Sequence, residues 1–318
     1  MNSMQSLSSA IRLRGLSGAL KRGPMHSRIN RELFRRDMQA FLRSNDVVFF
    51  EFASELLVAA SHLPKTCGIV TRLHRYEMYQ WVDRVNWDVV DRVILVSKAK
   101  QREFITRFPN HAEKTFVTSP STSLERFQFC DKPFAGDIGI LCHLTPRKRV
   151  YDLILLFADL LPHEPGLRLH IAGGRHVAYP DYDEALHYIV DRLGIRDNVI
   201  FYGNLKDPST WYQQIDLFVS NSYSEGLQVA PMEAMATGAY ALSHGWDGAD
   251  ELVPPENLFL TPAEFQQKVL AYCALPEAEK QAARRQMRAW ASEHFDIRKT
   301  INDICAVVDE VAVARTRL

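Results

Sequence analysis

The sequence predicts an α/β protein with two doubly wound parallel-sheet domains. A chain of 318 residues exceeds one typical domain. Short apolar segments recur between helical segments, and their lack of polar alternation is typical of parallel strands that are buried on both faces. The pattern is interrupted once, by a stretch rich in Pro, Ser and Thr at residues 108–136, and then restarts. We therefore expect a first domain at residues 1–132 and a second at residues 133–318.

The first domain is predicted to alternate strand and helix from Asp46 onward. Its apolar segments, such as "DVVFFEF", are short and rich in β-branched and aromatic residues, which favour strands. The predicted strands are 46–52, 65–73 and 91–97, and the predicted helices are 53–63, 77–91 and 98–108.

The second domain repeats the same alternation with more strands. The predicted strands are 136–144, 167–174, 198–204, 216–222 and 239–245, and the predicted helices are 150–161, 182–193, a short one near Tyr212, 231–237 and most of the chain from Pro262. Doubly wound sheets bind ligands beyond the carboxyl ends of their strands. Functional side chains are therefore expected in the segments that follow each strand.

Composition excludes some classes of function. Lys and Arg number 38, and so do Asp and Glu, so no overall field attracts nucleic acid. Residues 1–44 nevertheless contain nine basic and two acidic residues, which predicts an anionic partner such as a membrane surface. Residues 1–27 have the composition of either an organellar targeting segment or a basic, partly disordered N-terminus.

The cysteines indicate a reducing compartment. Five of them are scattered without a C-x-x-C pair, which favours neither a disulfide framework nor a zinc site. No segment reaches the roughly 18 apolar residues that cross a bilayer. We therefore expect a cytoplasmic protein, with peripheral contact at the inner membrane face as the role of the basic N-terminus.

The segment "SYSEGLQVAPMEAMATG" (222–238) contains two glutamates, Glu225 and Glu233. On one helix they would lie about 12 Å apart, beyond the carboxylate spacing that glycoside hydrolysis uses. Pro231 is tolerated only in a first helical turn, so the helix is predicted to begin near Ala230. Glu233 then lies in that helix and Glu225 in the loop before it.

This loop is predicted to bind an anion. The amides of Gly226, Leu227, Gln228 and Val229 precede a helix N-terminus, which favours phosphate, and carboxylates on both sides suit sugar hydroxyl groups. The alternatives are a dipole-complementing role for Glu233 and a solvated loop position for Glu225.

The segment "HLTPRKR" (143–149) directs further cations toward the same strand ends. Lys148 and Arg147 would neutralise a leaving diphosphate. A basic loop that caps the next helix is the alternative for this segment.

These segments together resemble the donor-binding half of retaining glycosyltransferases of family 4, which have the GT-B fold. The resemblance covers residues 136–255 and includes "TPRK" (145–148), "LHIAGG" (169–174), "NVIFYG" (198–203), residues 216–238 and "GADELVP" (248–254). Glu225 and Glu233 occupy the family's E-x7-E motif. The implied fold is GT-B-like, with two Rossmann-type domains that face a crevice.

The resemblance implies transfer of a sugar from a nucleotide-diphosphate donor to a glycan or lipid-linked acceptor, with retention and without a required metal or other cofactor. Glu225 would contact the donor sugar, Glu233 the ribose, and Lys148 and Arg147 the diphosphate. The amides of Gly226, Leu227 and Gln228 would bind the distal phosphate, and Val229, His143 and Gly173 would also line the donor site. His74, in "VTRLHRYEMY" (70–79), would face the transferred sugar, although such a strand-end histidine is often structural.

The sequence departs from the family pattern at three places. Residues 1–45 lack the usual apolar strand and glycine-rich loop, so the first domain is predicted to be abbreviated. His143 stands where the family usually has an arginine. The "DYD" at 181–183 resembles a metal motif of another glycosyltransferase fold, but Asp181 or Asp183 is expected to be a helix N-cap.

The sequence is also compatible with two other classes of function. The abbreviated first domain suits a catalytically degenerate protein that serves as a scaffold subunit of a glycosyltransferase complex. A GT-B epimerase or phosphorylase is the third alternative.

Overall fold

The computed structural model describes residues 24–316, with side chains from residue 30 to residue 315. The predictions for residues 1–23, including most of the basic segment 1–27, lie outside the described residues. The described chain divides into two compact units. The first comprises residues 24–94, 104–116 and 304–316, and the second comprises residues 95–103 and 117–303. The sequence-based boundary near Lys132 stays a prediction.

The first unit is built on a four-stranded sheet whose strands follow chain order. Its strands are β1 (Val47–Phe50), β2 (Gly68–Leu73), β3 (Arg92–Leu95) and β4 (Thr115–Val117). Its helices are α1 (Pro24–Arg43), α2 (Glu55–Ser61), α3 (Arg75–Gln80) and α4 (Lys98–Arg107), the last of which extends into the second unit. Neither α1 nor β4 was predicted, and β4 lies in the predicted linker.

The predicted helix 77–91 is interrupted. The α-helix ends at Gln80, and single 3-10 turns follow at Val82–Arg84 and Trp87–Val89. The side chain of Asn86 accepts a hydrogen bond from the Asp88 amide, which competes with a continuous helix. A single helix was therefore the wrong prediction here.

The second unit is built on a six-stranded parallel sheet of order β10-β9-β8-β5-β6-β7. Its strands are β5 (Asp137–Leu141), β6 (Arg168–Ala172), β7 (Val199–Gly203), β8 (Leu217–Ser220), β9 (Tyr240–His244) and β10 (Leu258–Phe259). The helices are α5 (Val150–Ala158), α6 (Pro180–Leu193), α7 (Ser209–Gln214), α8 (Val229–Thr237), α9 (Pro262–Ala274), α10 (Glu277–His294) and the first part of α11 (Ile297–Thr316).

Helices cover both faces of this sheet. Along β8, Leu217 and Val219 belong to a hydrophobic cluster with α5, α6 and α9, whereas Phe218 belongs to a second cluster with α7, α8 and α10. Successive side chains of a strand point to opposite faces of the sheet. The apolar residues of β8 therefore pack against helices on both faces. The predicted α/β class with two parallel sheets is confirmed.

The last helix, α11, ends in the first unit. From Ile304 onward its residues belong to that unit, where Val307 and Val311 pack against Val70 and Ile94. The chain therefore returns to its first sheet after completing the second.

Candidate functional site

A basic turn follows β5 in the second unit. Residues Pro146–Lys148 form one turn of 3-10 helix, and Arg149 ends the turn with φ 51° and ψ 40° before α5 begins. The Lys148 amide donates to the Thr145 carbonyl at 2.9 Å, and the Arg149 amide donates to Pro146 at 3.0 Å. Lys148 and Arg147 are thereby fixed beyond the carboxyl end of β5.

A second loop follows β8 and leads into α8. The helix begins at Val229, with Gln228 in extended conformation as N-cap and Pro231 in the first turn, close to the predicted start. The Ser220 hydroxyl donates to Gln228 Oε1 at 2.7 Å and so fixes the N-cap side chain. Glu225 precedes the helix by four positions.

The two loops meet in an ion cluster. Lys148 Nζ donates to Glu225 Oε1 at 2.7 Å, and Arg147 donates to the same oxygen. Arg147 also donates to the Ser224 carbonyl at 2.8 Å. Only 7% of Glu225 is exposed, so its carboxylate is largely removed from water, whereas Lys148 and Arg147 are partly exposed.

The two cations decide the charge of Glu225. Burial on its own would raise the pKa of this carboxyl group, but the charges of Lys148 and Arg147 outweigh burial and hold the pKa below its ordinary value. Glu225 is therefore ionised at neutral pH. It can accept hydrogen bonds from hydroxyl groups but has no proton to donate.

A cavity of about 380 Å³ opens beside this cluster. Four strands contribute to it through the loops at their carboxyl ends, as expected for a doubly wound sheet. Its lining consists of Leu141, Cys142, His143, Lys148, Gly173, Asn204, Leu205, Pro208, Glu225, Gln228, Val229 and Ala230.

Two glycines after β6 allow the loops to approach one another. Gly173 has φ 134°, and a Cβ atom there would lie 1.8 Å from the Cys142 carbonyl oxygen. A Cβ atom on Gly174 would lie 2.4 Å from the side-chain nitrogen of Asn204. Glycine is therefore required at position 173, where the contact is with backbone, whereas a side chain at Gly174 would displace the exposed side chain of Asn204.

Cys142 is a wall of the cavity rather than a nucleophile. Burial raises its pKa to about 11, so the thiol stays protonated near neutral pH.

Glu233 lies one turn into α8. It shares a helical face with Val229 and Ala230, which line the cavity, but Glu233 itself is absent from that lining. The Tyr212 hydroxyl donates to Glu233 Oε2 at 2.8 Å. Burial raises the pKa of Glu233 by more than this hydrogen bond lowers it. Its environment thus differs from that of Glu225.

The structure brings together six of the residues singled out from sequence: His143, Lys148, Gly173, Glu225, Gln228 and Val229 all line the cavity. Arg147 contacts Glu225 directly. Gly226 and Leu227 are buried, and the Leu227 side chain belongs to the hydrophobic core. Their roles toward a donor remain predictions.

Sequence reasoning missed the wall formed by Asn204, Leu205 and Pro208. These residues follow β7, and the rule that drew attention to the ends of β5 and β8 applies equally there. The charged residues of this segment, Lys206 and Asp207, form no motif with a recognisable function, so the position of the strand end was the one usable signal.

His74 lies in the first unit, directly after β2. Its ring nitrogen Nε2 is 3.3 Å from Glu51 Oε1, and its side chain takes part in the capping box of α3. Arg72 donates to the same Glu51 oxygen at 3.2 Å. These contacts give His74 a structural role, and its contact with a sugar stays a prediction.

The prediction for the aspartates of "DYD" was wrong in detail. The N-cap of α6 is Tyr179, whose side chain makes no capping hydrogen bond. Asp181 and Asp183 lie in the first turn of the helix. Pro180 occupies the first helical position, which shifts the start of the helix before Asp181. The acids complement the helix dipole instead.

Residues 137–286 match the family model described as glycosyl transferases group 1. The match lies within the second unit, so this part of the chain is similar to the family. The match contains the basic turn, the cavity-lining loops and both glutamates, so the family predicted from sequence is confirmed.

Relatives and solved structures agree with this assignment. The chain is 27% identical over 189 residues to the lipopolysaccharide core biosynthesis mannosyltransferase LpsB of Rhizobium meliloti, which covers 57% of this chain and 52% of that protein. It is 30% identical over 107 residues to the alpha-monoglucosyldiacylglycerol synthase of Streptococcus pneumoniae, covering 33% of this chain and 23% of that protein. The chain thus spans about half, or less, of the length of these relatives.

The fold of Anabaena Alr3699/HepE, solved in complex with UDP and glucose, is similar with a TM-score of 0.74 and 22% sequence identity. The likeness covers 86% of this chain and 80% of that one. It shows that the architecture is GT-B-like.

Proposed function

We propose that this protein is a retaining glycosyltransferase, which moves a sugar from a nucleotide-diphosphate donor to a glycan or lipid-linked acceptor. The observation that carries the proposal is the cluster of Glu225, Lys148 and Arg147 beside a cavity at the strand ends of a group 1 domain. The roles of the surrounding residues follow from their positions relative to this cluster.

Lys148 and Arg147 are assigned to the diphosphate. Both are held on Glu225, so their positions are fixed before a ligand arrives, and little reorganisation is needed when negative charge develops on the leaving group. The backbone amides of Gly226, Leu227 and Gln228, together with the start of α8, supply further donors for the distal phosphate.

Glu225 is assigned to the donor sugar. Because its pKa is lowered and its charge is shared by two cations, it is a poor nucleophile and not a general acid. Its role is to accept hydrogen bonds from sugar hydroxyl groups and to orient the ring. Glu233 is assigned to the ribose, at the turn of α8 that follows the cavity-lining residues Val229 and Ala230.

The apolar walls Leu141, Leu205 and Pro208 suit the flat face of a nucleobase. UDP is bound by Alr3699/HepE, and mannosyl transfer is in the name of LpsB. UDP- and GDP-sugars are therefore the first donors to test.

The test is a screen of UDP-, GDP- and ADP-sugars by thermal shift, followed by measurement of donor hydrolysis or transfer. At least one donor should stabilise the protein, and Glu225→Ala should abolish its turnover. Absence of binding across the whole panel would contradict the proposal.

One observation favours a scaffold subunit as the second candidate. Within residues 24–316 the first sheet has four strands and the second has six, so the first unit, which would bind the acceptor, has the smaller sheet. Co-purification with another transferase, with turnover of that complex unaffected by Glu225→Ala, would support this alternative.

The membrane contact of the basic N-terminus also remains a proposal. Between residues 24 and 316, no helix is both long and apolar enough to cross a bilayer. On α1, the arginines at positions 31, 35, 36 and 43 are exposed. Sedimentation with vesicles that contain an anionic lipid, compared with neutral vesicles, would test the contact.

A further inference from the structure

Arg149 has an unusual backbone conformation at the junction between the basic turn and α5. Among residues 24–316 it is the one residue other than glycine with positive φ. Left-handed backbone brings the Cβ atom of an L-residue too close to the following carbonyl oxygen, so it is unfavourable unless neighbouring contacts hold it. The question is what holds Arg149.

The Arg149 carbonyl accepts the first hydrogen bond of α5, from the Leu153 amide at 3.0 Å, and a further contact comes from the loop after β8. The side chain of Asn221 donates from Nδ2 to the Arg149 carbonyl oxygen at 3.0 Å. Asn221 is only 1% exposed, so this hydrogen bond is shielded from water. Within the described part of the chain, Asn221 Oδ1 is buried without a hydrogen-bond partner. A buried amide with one unsatisfied group is a poor choice for stability alone.

The same loop makes a series of contacts with the basic turn. The Tyr223 amide donates to the Arg147 carbonyl at 3.4 Å, Arg147 donates to Ser224, and Lys148 donates to Glu225. Asn221 makes the first of these contacts in chain order. Asn221 binds the backbone of Arg149, where the turn ends, whereas Glu225 binds the charged side chains of Lys148 and Arg147.

We propose that Asn221 is a positioning residue, which holds Arg149 in its left-handed conformation and thereby sets where Lys148 and Arg147 present their charges. This inference rests on the proposed function, because those charges are assigned to a donor diphosphate. Without the Asn221 hydrogen bond, Arg149 relaxes toward an ordinary conformation and the basic turn shifts relative to Glu225.

The first test replaces Asn221 by Ala and measures the affinity for UDP and for GDP by calorimetry. For whichever nucleotide the wild-type protein binds, we expect Asn221→Ala to weaken binding by about tenfold, the effect of losing one shielded hydrogen bond and the geometry it fixes.

The matched control is Asn257→Ala. Asn257 is also 1% exposed and donates from Nδ2 to a backbone carbonyl, that of Ala241, at 2.8 Å. It does not line the cavity. We expect a similar loss of thermal stability with unchanged nucleotide affinity. Equal effects of the two substitutions on affinity would assign Asn221 a merely structural role.

The decisive variant adds Arg149→Gly. Glycine adopts the left-handed conformation without the Cβ penalty, so the turn no longer needs Asn221 to hold it. The double variant should bind nucleotide within about twofold of Arg149→Gly alone, a factor small beside the tenfold loss expected in the arginine background. A loss that is equally large in both backgrounds would overturn the proposal.

Crystal structures of Asn221→Ala and of the wild type separate this inference from the proposed function. If the wild type binds neither UDP nor GDP, the assignment of the diphosphate is in question, but the structures still report the backbone of Arg149. Positive φ at Arg149 in the Ala variant, with Lys148 and Arg147 in place, would refute the positioning role whatever the ligand.

Discussion

Two buried carboxylates lie at opposite ends of β8, and they differ in what surrounds them. Asp216 precedes the strand and is fully buried, with Oδ2 accepting from the amides of Ala135 at 2.9 Å and Asp137 at 3.0 Å. Its Oδ1 accepts from Arg284 at 3.2 Å and from Lys132. Both oxygens are therefore committed to the protein itself.

Glu225 follows the same strand and is also bound by one lysine and one arginine, but its cluster borders a cavity. The chemistry of the two clusters is nearly the same. The difference is their place on a parallel sheet, since the amino edge is closed by the chain and the carboxyl edge opens into a cavity. Charged groups of one type are thus structural at one edge and available to a ligand at the other.

The largest expected effect is on stability at the closed edge. Asp216→Ala leaves Arg284, which is 2% exposed, as a buried charge without its carboxylate, and we expect a loss of about 3–5 kcal/mol in the free energy of unfolding. Chemical denaturation measures it. Glu225→Ala is the control and should lose less, because Lys148 lines the cavity and Arg147 is partly exposed, so both cations can be hydrated. Equal losses of unfolding free energy in the two variants would contradict the expected difference between the two carboxylate clusters.

The next effect is on turnover at the open edge. Lys148→Ala removes a preorganised cation and should lower turnover by about a hundredfold, with a smaller effect on stability. Lys132→Ala is the matched control, because Lys132 pairs with Asp216 in the same way. It should lower the melting temperature and leave the turnover of the folded protein unchanged. Normal turnover in Lys148→Ala would remove this lysine from the site.

A more moderate effect is expected for the second glutamate. Glu233→Ala should weaken binding of a nucleoside diphosphate by about 1–3 kcal/mol, the usual contribution of a charge-assisted hydrogen bond, while the fold persists. Calorimetry measures it. Glu264→Ala, which removes a first-turn glutamate of α9, is the control for a dipole effect and should not change affinity. Unchanged affinity in both variants would refute the ribose assignment.

The smallest effect concerns pH. The lowered pKa of Glu225 means that it stabilises the fold above its unfolded value, near 4.3, and that this contribution is lost as pH falls through the folded value. The stability lost in Glu225→Gln should therefore be seen at pH 7 and should vanish in acid.

Glu233 should show the opposite sign. Its raised pKa means that ionisation opposes folding, so Glu233→Gln should gain stability relative to the wild type as pH rises through that pKa. Thermal unfolding between pH 3 and pH 7 tests both variants. If the stability difference from the wild type changed with pH in the same direction for both variants, the environments of Glu225 and Glu233 would not be distinct.

Much of the fold was predictable because its signals are local. Unalternating apolar segments marked most of the strands, and Pro231 marked the start of α8. Where local signals were weak or misleading, the prediction failed, as in the two-residue strand β10, the interruption after Gln80 and the start of α6.

The sequence by itself determined the class of fold, the family and the two loops that carry the charged residues, because residue periodicity and motif spacing are properties of short segments. Only the tertiary structure decided that Glu225 pairs with Lys148 and Arg147, that Asn204 completes the cavity wall, and that Asn221 reaches Arg149. The physical reason is the strand order β8-β5-β6-β7, which brings loops from distant parts of the chain to one edge. That order is set by long-range packing and is not encoded in any one segment.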